Sequence, residues 1–68
     1  MEDWKQRVGS NVRRLREERG LTQERVAFDA HIDLTYLGGI ERGKRNPSLL
    51  VMVRIANALN AEIRELLA

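Results

Sequence analysis

Three cations fall within four residues at Arg42, Lys44 and Arg45. Ten of the chain's twelve basic residues are arginine, whose planar fork bonds two acceptors of a phosphate or a guanine at once. The cluster could flank a docked phosphate backbone; a solvated charge run is the plain alternative. Just upstream, Gly38 and Gly39 sit side by side in a stretch that otherwise reads as helix. Each glycine inside a helix costs about 1 kcal/mol relative to alanine, so the pair needs a reason. One is a bare surface that lets the backbone approach a groove floor closely. The other is close packing of Gly38 against the preceding helix. Other chemistries find less to work with. His31 is the sole histidine, and without cysteine it has no partners for a metal. Ser10 and Ser48 lie far along the chain from His31, with no nucleophile-elbow motif. Gly9 opens no phosphate-loop pattern. Glu17-Glu18 and Glu62 with Glu65 read as helix-surface carboxylates. No catalysis, metal or cofactor is expected.

The chain that must position these residues is short. Sixty-eight residues make one domain that buries only about 60% of its unfolded surface, too little to enclose most active sites. A hydrophobic share of 43%, against only five glycines and one proline, excludes a disordered tail. With no disulfide, a core this small needs well-capped helices or a partner chain. A net charge of +2 is weak evidence for nucleic acid by itself; where the arginines fall matters more. No apolar run approaches the length of a membrane span, and Met1-Glu2-Asp3-Trp4 lacks signal-peptide character, so a cytoplasmic location is expected.

Periodicity predicts five short helices and no strands. Trp4, Val8, Val12 and Leu15 line one stripe of a helix from about Asp3 to Arg19, and Gly20 follows as a left-handed stop. Thr22 is the expected N-cap of a second helix, Gln23 to Ala30, with Leu21 and Val26 as a hydrophobic staple. Phe28 falls on its outward side. His31 is assigned a left-handed conformation, since histidine tolerates positive φ better than most residues. Ile32 then points inward and Asp33 caps a third helix, Leu34 to Arg42, that stops at Gly43. Leu37, Ile40 and in part Tyr36 face inward; Thr35, Gly39 and Arg42 share the opposite side. After a loop from Lys44 to Pro47, Pro47 or Ser48 opens a fourth helix with an inward stripe of Leu49, Met52, Val53, Ala56 and Leu59. Asn60 takes a left-handed stop, and a last turn from Glu62 to Leu67 buries Ile63, Leu66 and in part Leu67.

Two short helices joined by a tight turn, with a basic loop after the second, describe a helix-turn-helix at about residues 22–42. The run Leu21-Thr22-Gln23-Glu24-Arg25-Val26-Ala27, then Thr35-Tyr36-Leu37, then Ile40-Glu41-Arg42-Gly43-Lys44-Arg45-Asn46-Pro47 closely resembles the phage repressor and Cro-type (XRE-family) DNA-binding domain. The resemblance covers residues 8–67, nearly the whole chain. It implies an all-α five-helix bundle of the lambda-repressor-like type, with its third helix in the major groove and commonly a two-fold dimer. Carried over, Leu34, Thr35 and Gly39 sit where such proteins touch base edges. Gln23 matches a phosphate-contacting glutamine, and Tyr36, Arg42, Lys44, Arg45 and Asn46 join it as phosphate contacts. Arg16 and Glu41 match a salt bridge between the first helix and the end of the third. Gly39 and Leu34 are poor base readers, so specificity would lean on Thr35 and on DNA shape. The expected role is a small transcriptional regulator, repressor or activator, binding a palindromic operator as a homodimer. The dimer surface is placed at residues 63–68 with the end of the fourth helix. The alternative is an antitoxin-like or adaptor module acting through a protein partner, which leaves the basic cluster no shared role.

Overall fold

The computed structural model describes residues 3–68, and all regular structure among them is helical. The order is α1 (Trp4–Glu18), α2 (Gln23–Ala30), α3 (Leu34–Glu41), α4 (Leu49–Ala58) and α5 (Ile63–Leu66). α1 packs mainly on α3, α2 on α4, and α5 closes against α1 and α4.

The first four helices stop in the same way. After each, one residue turns left-handed: Gly20 (φ 66°), His31 (φ 57°), Gly43 (φ 74°) and Asn60 (φ 54°). The amide that follows reaches back to a carbonyl five residues earlier: Leu21 to Arg16, Ile32 to Ala27, Lys44 to Gly39 and Ala61 to Ala56, all at 2.9–3.1 Å. These bonds satisfy carbonyls that a helix end leaves orphaned. All four stops fall where the sequence places them.

Side chains secure most helix starts. Asp3 accepts from the Gln6 amide, Thr22 from Arg25 and Ser48 from Val51. Asp33 departs from expectation: it occupies the N-cap position of α3, yet its carboxylate accepts no backbone N–H there. At α5 the Glu62 amide donates to the Glu65 carboxylate at 2.8 Å, and from outside the turn the Asn11 side-chain amide donates to the carbonyls of Leu66 and Ala68.

The core gathers Val8, Val12 and Leu15 of α1, Val26, Ala27 and Ala30 of α2, and Leu37 and Ile40 of α3, with Ile55, Ala56, Leu59 and Leu66 closing it. Ile32 and Leu21 pack against it in part. Two predicted stripes need correction. Trp4 begins α1 beyond the end of the core, stands 50% exposed, and carries the Arg7 guanidinium over its ring at 5.0 Å. α4 is rotated from its expected setting: Ile55, Ala56 and Leu59 are buried, while Leu49 and Val53 face solvent at 66% and 38% exposure. Leu49 through Val53 are all apolar, so periodicity alone could not select the inward side. Leu50 is also exposed, at 61%, and in the last turn Leu66 alone is fully buried, with Ile63 half-buried and Leu67 exposed just past the end of α5.

Candidate nucleic-acid interface

α3 is an eight-residue helix, too short to hold a fixed orientation alone. Leu37 and Ile40, fully buried, fix its inner side. A buried polar knot fixes its end. Glu41, on the last turn, has only 3% of its side chain exposed, and Arg16 from α1 has 13%. Arg16 donates to Glu41 twice, Nε to Oε2 at 2.7 Å and Nη2 to Oε1 at 3.0 Å. Its remaining Nη1 donates to the Leu21 carbonyl at 2.9 Å, and the Gln23 amide nitrogen adds a third donor to Glu41 at 2.9 Å. A buried carboxylate is stable only with such partners. The hydrogen bonds that Arg16 donates to Glu41 raise its pKa above arginine's ordinary value, although burial opposes this. One cluster thereby ties together α1, the start of α2 and the end of α3.

Leu34 is 43% exposed, and Thr35 is exposed beside it at the start of α3. Arg42, Lys44, Arg45 and Asn46 are exposed at the other end. Gln23 is half-buried at the start of α2, one of its two amide hydrogens directed to Glu41. Tyr36 is half-buried, with the Arg45 guanidinium 4.8 Å over its ring.

Gly38 and Gly39 are both buried, by side chains of the basic cluster. A methyl group on Gly38 would lie 3.2 Å from Nη1 of Arg42 and 4.0 Å from the Gln23 carbonyl oxygen. On Gly39 it would lie 2.6 Å from Cγ of Arg45. The outward side of α3 is therefore covered at Gly39 by an arginine from the loop, where the sequence placed bare backbone. Position 39 presents that arginine's stem in place of its own surface.

The Gln23–Glu41 hydrogen bond and the Arg45–Tyr36 stack escaped sequence reasoning. Residues 36 and 45 lie nine apart across a helix end, a spacing that no helical rule connects. The one available signal was the cost of two adjacent glycines, which marks something passing close.

The helix-turn-helix family model matches residues 12–66. A helix-turn-helix transcriptional regulator of Sinorhizobium fredii is 44% identical over 64 residues, spanning 94% of this chain and 83% of that protein. The control protein C.MunI from a Mycoplasma species is 40% identical over 67 residues, 97% of this chain and 90% of that one. Among solved structures, the restriction-modification controller protein C.AhdI from Aeromonas hydrophila superposes with a TM-score of 0.88 at 45% identity, covering 91% of this chain and 94% of its own. The match takes in α2, the His31 turn, α3 and the basic loop together, and the chain belongs to the helix-turn-helix family of DNA-binding transcriptional regulators, of the phage-repressor type.

Proposed function

We propose that the chain regulates transcription by binding double-stranded DNA sequence-selectively, with α3 in the major groove. One observation carries the reading. The outward side of α3 begins at exposed Thr35 and runs into three exposed cations, and none of the three pairs with a carboxylate among the described residues. By contrast Arg13, Arg14 and Arg25 are each paired with an acid four residues on. Cations left unpaired at one end of an anchored helix suit a polyanion. In this arrangement Leu34 and Thr35 face base edges, where the Thr35 hydroxyl can hydrogen-bond and its methyl can meet a thymine methyl. Gln23, Arg42, Lys44 and Asn46 hold phosphates on either side. Such a regulator works in the cytoplasm. No helix among the described residues is long and apolar enough to cross a membrane.

A second copy is the natural partner. The longest dimension of the molecule is 33 Å, on the scale of the roughly 34 Å between paired half-sites. The exposed apolar side chains that could join two copies are Leu49, Leu50 and Val53 on the first half of α4, with Leu67 at 41% exposure near the C-terminus. These exposures favour a surface at the start of α4 together with Leu67, whereas the sequence alone pointed to residues 63–68 with the end of α4.

Fluorescence anisotropy with mixed genomic duplexes at several salt concentrations tests the reading. Affinity should fall with salt on a log–log slope of about −0.9 for each phosphate neutralised. Salt-insensitive or absent binding would refute it and favour a protein-adaptor role.

A further inference from the structure

We propose that Arg45 reads a guanine in the major groove, delivered to the outward side of α3 from the loop in place of the side chain that Gly39 lacks. The inference rests on the DNA-binding reading above and names the base that this site selects.

The backbone prepares the delivery. Gly43 turns left-handed at the end of α3, and the Lys44 amide then bonds the Gly39 carbonyl at 2.9 Å. That reversal brings the next residue back over the helix it has just left. The Arg45 stem crosses Gly39 so closely that a methyl group there would lie 2.6 Å from its Cγ and 3.7 Å from its Cβ and Cδ. Its guanidinium ends 4.8 Å over the Tyr36 ring. Residues 35 and 39 are one helical turn apart, so the stem occupies the position next to Thr35 that a base-reading side chain at 39 would fill.

The stack is what distinguishes a base reader from a phosphate clamp. A phosphate contact needs only charge within reach, which Arg42 and Lys44 already supply. A two-pronged bond to O6 and N7 of guanine needs a guanidinium held in one orientation. Ordering a free arginine costs conformational entropy on binding; stacking on an aromatic ring before binding removes part of that cost. No hydrogen bond or ion pair occupies the Arg45 guanidinium among the described residues, so its N–H groups remain available. Gly39 is the seat of this arrangement, which accounts for a residue that weakens the helix at its most important position.

The preferred duplex is first obtained by selection from a random pool with the wild-type protein. Binding is then compared on that duplex, on a scrambled one, and on the preferred duplex carrying 7-deazaguanine, which lacks the N7 acceptor, at each guanine in turn. We expect one guanine per half-site at which the 7-deaza change weakens wild-type binding about tenfold or more. Arg45→Lys, which keeps the charge but loses the fork, should lower the preferred-to-scrambled ratio by a similar factor. In that variant the same 7-deaza change should have little further effect. Gly39→Ala, which pushes the stem aside, should reproduce the loss of selectivity. Equal losses on preferred and scrambled duplexes, or additive effects of Arg45→Lys and 7-deazaguanine at every position, would overturn the proposal in favour of a phosphate contact. In either of those cases salt-dependent binding by the wild type would still stand, whereas a wild type that binds no duplex would overturn both.

Discussion

Glu41 is the one buried charged side chain among the described residues, and three donors from two side chains meet it. Removing one partner of such a cluster strands the other in a low-dielectric site, at a cost of about 3–5 kcal/mol. A domain of this length has a total stability of roughly 3–10 kcal/mol. Glu41→Ala should therefore lower the thermal midpoint by roughly 12 °C or more, and an unchanged melt would mean that the pair is screened by water. Glu41→Gln keeps the shape and one acceptor, so it should fall between the two. The pH dependence follows from Arg16. Its folded value lies above its unfolded one, so its contribution is complete below the unfolded value and lost only as pH rises through the folded one. The pair should thus remain intact through neutral and moderately alkaline solution. Thr35 sits at the opposite extreme, exposed on the first turn of α3. Thr35→Ala should leave the melt within about 0.5 kcal/mol of wild type and shift the sequence preference of the protein. Equal weakening on every duplex would show that Thr35 does not face a base.

At the level of helices, α1 crosses α3 at Gly9 with no room there for a side chain. A Cβ on Gly9 would collide with the Ile40 carbonyl oxygen and lie 3.1 Å from that of Glu41. Backbone atoms cannot swing aside as a side chain can, so Gly9→Ala should separate the two helices and destabilise the protein by about 1–3 kcal/mol. It should also disturb DNA binding, because the same displacement pulls on Glu41 and the end of α3. A melt equal to wild type would mean that the crossing is looser than it stands. Gly9 also shows where the sequence stopped being legible. A lone glycine in a helix carries no local pattern, and its partner lies on another helix. Much of the local chemistry was readable, the Asp33 cap excepted: the left-handed stops at His31 and Asn60, the Thr22 cap, and the inward set of Leu37 and Ile40 each follow from near neighbours. The setting of α4 was not, since Leu49 through Val53 offer apolar side chains on both sides and only packing against α2 and α5 selects among them. The covering of Gly39 by Arg45 was hidden for the same reason, as it depends on how the chain returns after Gly43.

For the molecule as a whole, one surface still to be explained is the apolar group on α4; Phe28 on α2, at 76% exposure, stands apart from it in sequence. Leu49, Leu50 and Val53 are 66%, 61% and 38% exposed, and residues 49 and 53 stack one turn apart on the same side. Exposed apolar side chains grouped in this way mark an interaction surface, and a duplex, which presents charge, is a poor match for them. A second copy would cover them. Leu50→Glu places a like charge on both sides of such a two-fold contact, where it is opposed by its own symmetry mate. Because Leu50 is mostly in water already, the monomer fold should be retained, and its helix content and melt extrapolated to low concentration should match wild type. Sedimentation should show the wild type as a dimer at micromolar concentration and Leu50→Glu as a monomer. Binding to a single half-site should then be similar for both, while binding to a two-half-site duplex should lose the gain that comes from linking the two contacts. A variant that stays dimeric would move the interface elsewhere, with exposed Leu67 the next residue to change. A variant that is monomeric yet binds the full duplex as tightly as wild type would show that the two half-sites are read independently.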